Sequence, residues 1–166
     1  FALSRNPAQH VLLEAAEKAV RAGVQLSLNA NYSEKIGPDR REAQRIVAEY
    51  CRMGAMLKIS DTDYHNLYGD DKSAPEAVLD HFLKMGANEI CYTLGANGCW
   101  VADDENRHHV PANHVEVRDP LGAGDAFWAG YLSAYLDGKS LEERAHAGRK
   151  LAGMKIGSFN PLPDKI

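Results

Sequence analysis

A chain of 166 residues with 45% hydrophobic residues and 25% charged ones is long enough for one α/β domain, residues 1–166, with its own core. A formal net charge of −4 with no basic run excludes nucleic acid or an anionic membrane as the main partner, so any phosphate must be held locally. Cys51, Cys91 and Cys99 show neither a CxxC nor a disulfide framework and read as buried thiols; with no signal peptide or membrane-length apolar run, the cytoplasm is the expected compartment.

Asn6-Pro7 reads as a cap with proline at the first helical position. Val11, Leu12, Ala15, Ala16, Ala19 and Val20 then recur at helical spacing until Gly23 stops them. Residues 24–28 are short, apolar and bounded, which predicts a strand. The polar loop 29–33 after it either meets a ligand or closes a turn. Pro38-Asp39 opens a second helix to about Arg52, with Ala43, Ile46, Val47 and Tyr50 inward. Residues 55–59 are the next strand, and Ser60, three before Asp63, gives a capping-box start to a short helix ending at Gly69. Ser73-Ala74-Pro75 starts another helix, with Val78, Leu79, Phe82, Leu83 and Met85 inward and Gly86 at its end. Residues 89–94 form a strand that 95–98 turn into a further strand, 99–102, as a hairpin or tight turn. Residues 103–109 read as a solvated surface turn. His108, His109 and His114 do not read as a metal site, because adjacent histidines point to opposite faces of a strand. Residues 114–117 are a β-rich approach to Pro120. Ser140 and Glu143 box the start of a last helix reaching about Ile156, and Pro161 and Pro163 end the fold.

Strands alternating with helices predict a largely parallel sheet covered by helices, with ligands at the strands' C-terminal ends. The loops after Leu28, Ile59 and Leu94 and the loop before Gly122 then converge on one crevice. The last of these carries the chemistry. Asp119-Pro120-Leu121-Gly122-Ala123-Gly124-Asp125 leads into a run from Ala126 to Leu136 with almost no polar residue, a helix predicted to be buried on nearly every side. Gly122 and Gly124 let the backbone approach a ligand, and the helix adds its unpaired N-terminal donors and the positive end of its dipole, an anion site. Asp125 in the first turn suits a base that deprotonates a hydroxyl attacking a phosphate; a plain strand-to-helix turn with a capping carboxylate accounts for the same residues equally well. A P-loop and a dinucleotide fingerprint are both excluded, the latter by Phe127 where a third glycine is needed.

The stretch from Asp119 to Phe127, followed by Gly130-Tyr131-Leu132, resembles the second signature of the ribokinase-like (PfkB) carbohydrate kinases, Asp-Thr-x-Gly-Ala-Gly-Asp-x-Phe. Other blocks are similar in the same order: Asn31 to Asp-x-Asn-x-Arg, Lys58 to Asp63 to Lys-x-Asn-x-x-Glu, and Thr93 to Gly98 to Thr-x-Gly-x-x-Gly. The resemblance implies an ATP-dependent kinase acting on a hydroxyl of a sugar or sugar acid, with Asp125 as base and the N–H groups of Gly122, Ala123 and Gly124 as anion hole. It implies that Thr93, Gly95 and Gly98 line the ATP site with Gly148 near the adenine, and that Asn31 touches substrate. It places Ser60 and Asp63 by the phosphates and Mg²⁺, and Asp119 where many members bind a monovalent cation such as K⁺.

The departures are Pro120 for the threonine, Ser60 for an asparagine, Asp63 for a glutamate, Asn29 and Ser33 in the Asn31 loop, and Gly148 where many members carry asparagine. Family members also have an N-terminal portion with the sugar-binding aspartate, a Gly-Gly motif and the lid. The chain, which begins at Phe1, resembles the C-terminal nucleotide-binding part alone and is expected to be inactive by itself and to self-associate as a homo-oligomer through exposed apolar sheet. Two further readings stay open: a catalytically degenerate nucleotide-binding or regulatory protein of the same family, and an unrelated α/β domain with a Gly-Ala-Gly turn.

Overall fold

The fold is built from local signals that the chain carries beside each element. The structure, a computed structural model, describes residues 3, 5–37, 39–69 and 74–158; the expected boundaries at Pro38, Ser73, Pro161 and Pro163 lie outside the described residues. The chain divides into two compact units, Phe1–Tyr92 with Ala102–Glu105, and Thr93–Val101 with Asn106–Ile166.

In the first unit, α1 (Ala8–Arg21) starts one residue later than its proline predicts: Pro7 is the N-cap, and no side chain caps the helix. Ala16 is buried, but Val11 and Val20 of the same helix remain exposed. The predicted strand 24–28 shortens to β1 (Ser27–Asn29), which runs parallel to β2 (Met56–Ser60) with Ser27 opposite Met56, Leu28 opposite Leu57 and Asn29 opposite Lys58. Pairing begins only where β2 begins. Upstream, Val24 is exposed, and the Gln25 side chain donates to the Gly54 carbonyl at 2.7 Å.

Helix α2 (Arg40–Arg52) is capped by Asp39, whose carboxylate accepts the Glu42 N–H at 3.0 Å, and it buries Ile46, Val47, Tyr50 and Cys51. Helix α3 (Asp61–Tyr68) follows β2 directly and ends on Gly69 at φ 73°, the left-handed conformation that glycine adopts without a Cβ penalty. Helix α4 (Pro75–Met85) has proline in its first turn and buries Val78, Leu79 and Phe82, each such side chain stabilising by roughly 1.5–3 kcal/mol. It ends at Gly86, where a Cβ would stand 3.0 Å from the Cys51 carbonyl oxygen. β3 (Glu89–Thr93) follows, its last residue falling in the second unit.

A 3-10 turn, Gly95–Asn97, leads from β3 to β4 (Cys99–Ala102), with the Leu94 N–H on the Gly98 carbonyl at 2.8 Å. The expected surface turn 103–109 is corrected here: its second half is a strand, β5 (Arg107–Val110). That strand is polar, so apolar alternation gave no sign of it. The five strands form one sheet in the order β1-β2-β3-β4-β5. The links into β4 and β5 are too short for a crossover, so these two strands join as hairpins onto a parallel part and the sheet is mixed. All three cysteines are buried and unbridged. Among the described residues no helix is long and apolar enough to cross a membrane.

In the second unit the approach 114–117 is irregular and not a strand. Val115 instead lies against Gly153 and Gly157 at the end of α6 (Leu141–Ile156). Helix α5 (Ala123–Leu136) buries Ala126, Phe127, Trp128, Gly130, Tyr131 and Ala134. It is not covered on every side, as its composition predicted: Asp125, Ala129, Ser133 and Leu136 form an exposed stripe at spacings of four, four and three. α5 and α6 cross at glycines. A Cβ on Gly130 would stand 2.7 Å from the Ala147 carbonyl oxygen, and one on Gly148 would stand 2.8 Å from that of Phe127. The Ser140 and Glu143 capping box forms as expected, with the Ser140 N–H on the Glu143 carboxylate at 2.8 Å.

Candidate functional site

In the first unit the loop after β1 and the start of α3 are joined through one carboxylate. Asp63, 7% exposed, accepts the Tyr32 N–H on Oδ1 at 2.9 Å and the Ser60 N–H on Oδ2 at 3.2 Å. The Ser60 hydroxyl donates to the same Oδ2 at 2.6 Å while its oxygen accepts the Asp63 N–H at 3.0 Å. This capping box was expected from Ser60 and Asp63; its reach to Tyr32 was not. It brings Asn31, at φ 25° and exposed, into the same cluster as Ser60 and Asp63.

Sequence reasoning named no role for Lys58, which the structure buries to 4% exposure with its Nζ donating to Asn29 Oδ1 at 3.2 Å. The signal was present: a lysine in the middle of an apolar strand needs a partner. The same loop and α2 line a cavity of about 390 Å³ whose wall includes Leu28, Ile36, Ile46, Val47 and Leu67. Such a wall suits the body of a small molecule and not a phosphate.

In the second unit the turn before α5 has the geometry of an anion site. Gly122 is the N-cap at φ 78°, with no side-chain cap, and among the described residues beyond its chain neighbours only Lys155 Cε, at 3.8 Å, comes within 4 Å of a Cβ placed on it. The Ala123 N–H closes the turn on the Pro120 carbonyl at 3.2 Å. The anion hole expected from three N–H groups is therefore narrower, with Ala123 serving the turn. Among the described residues Gly122 and Gly124 have no backbone acceptor for theirs. They stand at the positive end of a 14-residue helix, where an anion is favoured. Asp125 lies in that first turn, exposed.

Asp119 precedes the turn. Its Oδ1 accepts the Leu121 N–H at 3.0 Å and its Oδ2 the Lys155 ammonium at 2.9 Å. The Lys155 bond, and then that of Leu121, holds the Asp119 carboxyl below the usual carboxylate range.

The remaining positions divide. Thr93 ends β3, and the turn after it has Gly95 at φ 55° with open space where a Cβ would be. Gly98, at φ 85°, serves close packing: a Cβ there would stand 2.1 Å from the Val110 carbonyl oxygen. The ring of His109 fixes this turn, its Nε2 3.0 Å from the Asn97 carbonyl oxygen and its face stacked on Trp100 at 5.0 Å. His108 faces Glu142 at 3.8 Å. Gly148 is buried beneath Phe127, so the helix crossing accounts for it. Among the described residues no three of His, Cys, Asp and Glu are placed to hold a metal ion. Asp63 has both oxygens engaged by the scaffold, so the residues present do not fit a protein-built Mg²⁺ cage.

The pattern of the pfkB family carbohydrate kinases matches residues 4–164. The chain is 30% identical to fructokinase-1 of Oryza sativa subsp. japonica, covering 100% of this chain and 54% of that protein. It is 28% identical to an ATP-dependent 6-phosphofructokinase of Thermoanaerobacterium thermosaccharolyticum, covering 98% of this chain and 51% of that protein. The structure of aminoimidazole riboside kinase from Salmonella enterica, complexed with aminoimidazole riboside and an ATP analogue, superposes with a TM-score of 0.86 at 25% identity, covering 99% of this chain and 58% of the other. The chain thus spans about half the length of the curated relatives it matches.

Proposed function

Because the chain belongs to the pfkB family of carbohydrate kinases, we propose that it is the part of an ATP-dependent kinase that performs phosphoryl transfer to a hydroxyl of a sugar or sugar acid. Membership removes the reading of an unrelated domain with a Gly-Ala-Gly turn. The observation that carries the proposal is the start of α5, where an exposed carboxylate, Asp125, shares one helical turn with the N–H groups of Gly122 and Gly124.

In this reading the Asp125 carboxylate takes the proton from the acceptor hydroxyl. The two N–H groups and the helix dipole hold the charge on the transferring phosphoryl group, which is the larger share of catalysis in such reactions. Thr93 and Gly95 line the nucleotide, and the Asn31 loop faces the acceptor. Mg²⁺, where the nucleotide carries it, would supply charge neutralisation that these residues do not provide. The chain is cytoplasmic, and these 166 residues alone are inactive. They hold the base and the anion hole, and they span about half the length of the relatives they match.

The relatives named above act on different acceptors, so their names support a sugar-like hydroxyl compound and do not single one out. A second reading, a nucleotide binder without turnover, is favoured by one observation: Asp63, expected near Mg²⁺, is consumed by Tyr32 and Ser60. The experiment is ADP release with Mg-ATP and a panel of sugars, sugar acids and nucleosides. It uses the purified protein with any further chain its gene encodes, beside Asp125→Asn. Turnover on one substrate class that the substitution abolishes supports the kinase; ATP binding with no turnover on the panel supports the second reading.

A further inference from the structure

The last turn of α6 brings an ammonium against the turn that precedes α5. Lys155 Nζ lies 2.9 Å from Asp119 Oδ2, and the two side chains are only 21% and 32% exposed. Backbone bonds hold the same pair of segments together: the N–H groups of Arg118 and Asp119 both donate to the Ile156 carbonyl, at 2.8 and 3.2 Å. Asp119 passes the constraint on, because its other oxygen accepts the Leu121 N–H one residue before Gly122. Lys155 Cε also lies over the open side of Gly122, 3.8 Å from where a Cβ would stand. The positive charge therefore stands beside the N-cap of α5.

The family resemblance puts a monovalent cation at Asp119, and the donor set does not fit one. The carboxylate already has a cation, joined by a charge-assisted hydrogen bond and tethered by its own helix, and its second oxygen is taken by an amide. K⁺ entering there has to displace an ammonium that cannot diffuse away. We infer that Lys155 is a positioning residue that replaces the monovalent cation, fixing the Asp119 loop and setting a positive charge next to the Gly122 turn, so that the protein neither binds nor needs K⁺ at this place. The catalytic half of the inference rests on the kinase reading; the binding half does not.

The first readout needs no substrate. Thermal unfolding of the wild-type protein is followed at constant ionic strength while tetramethylammonium chloride is replaced by KCl or by NaCl. No K⁺-specific shift is expected. Lys155→Met, of similar length and without charge, is expected to unfold at a lower temperature and to recover in part with K⁺ or NH₄⁺ but not with tetramethylammonium. A K⁺-specific rise in the wild type overturns the inference, and so does a folded Lys155→Met protein indifferent to K⁺. Lys155→Arg keeps the charge and is expected to remain insensitive, which holds the test open if the methionine variant does not fold.

The second readout is turnover of the protein with any further chain its gene encodes. Wild-type kcat is expected to be unchanged by removal of K⁺, while Lys155→Met loses about tenfold or more in kcat, the size of one modest electrostatic contact, with KM little changed. Added K⁺ or NH₄⁺ restores it, which a purely structural role does not produce. Wild-type turnover that requires K⁺ overturns the inference and leaves the kinase standing. If no substrate is turned over, the kinase reading fails while the unfolding experiment still decides whether Lys155 excludes the cation.

Discussion

Asp125 and Asp63 occupy the same place in two helices, the first turn, and the fold uses them in opposite ways. Asp63 in α3 is buried, with one oxygen on the Tyr32 N–H and the other on Ser60, so its negative charge satisfies backbone donors that have no helical acceptor. Asp125 in α5 follows a glycine N-cap that offers no side chain, and it is exposed. The difference is decided one turn earlier, by the N-cap residue. A serine cap draws the carboxylate back into a box; a left-handed glycine leaves the N-terminal donors facing outward with the carboxylate beside them. A helix start thus becomes scaffold or chemistry according to which residue caps it.

The sharpest way to break this contrast is to remove one charge at a time. Asp125→Asn is expected to lower kcat at least about a hundredfold, the range for loss of a general base, with the protein still folded. Steady-state ADP release and a thermal melt check both halves. A variant retaining wild-type turnover would remove Asp125 from the reaction. Asp63→Ala is expected to do the reverse at the level of the fold. It leaves the N–H groups of Tyr32 and Ser60 without their acceptor, at a stability cost of about 3 kcal/mol, the upper end for an orphaned buried group. Ser60→Ala keeps the carboxylate and removes only the cap, about 1 kcal/mol. Urea unfolding ranks the two, and equal losses would show that the link from Asp63 to Tyr32 contributes nothing.

Local signals explain which parts of this arrangement were legible in the sequence. The Ser60 box, the Ser140 box and the Gly-Ala-Gly start of α5 are each specified within a few residues, and each formed where expected; the Asp39 cap is equally local. Three of the departures in the fold are set by a partner distant in sequence. Strand β1 starts at Ser27 because β2 starts at Met56. The polar β5 exists because it pairs at the end of the sheet, and residues 114–117 stay irregular because Val115 packs on Gly153 and Gly157. The same holds within the candidate site. Nothing near Asp63 announces Tyr32, 31 residues away, and nothing near Asp119 announces Lys155, 36 residues away.

Gly148 sharpens the contrast from the other side. The resemblance puts it near the adenine; the packing puts it beneath Phe127, where a Cβ would stand 2.8 Å from a carbonyl oxygen and 3.0 Å from the ring. Gly148→Ala is therefore expected to destabilise by about 1–3 kcal/mol, as over-packing does, while the protein that remains folded keeps its KM for ATP. A raised KM with unchanged stability would return the residue to the nucleotide site.

A third first-turn carboxylate, Glu42 of α2, tests whether exposure alone separates the two cases. It is more than a third exposed, yet Arg45 grips it through Nη2 at 2.7 Å and Nε at 2.9 Å, and the Gln9 side chain donates to it as well. The Arg45 hydrogen bond, with that of Gln9 adding to it, holds its pKa down from 4.5 to about 2. A carboxyl whose folded value lies below its unfolded one binds its proton more readily when unfolded. Its contribution to stability is therefore complete above about pH 4.5 and fades as the pH falls toward 2. Because solvent screens the pair, the contribution is expected to be only about 0.5 kcal/mol. Urea midpoints of the wild type and Glu42→Gln should differ by that amount near neutrality and converge at the acid end. A gap that persists in acid would mean that the substitution disturbs the contact between α1 and α2 and not the charge. Convergence would place Glu42 with Asp63, as a first-turn carboxylate held by the scaffold despite its exposure.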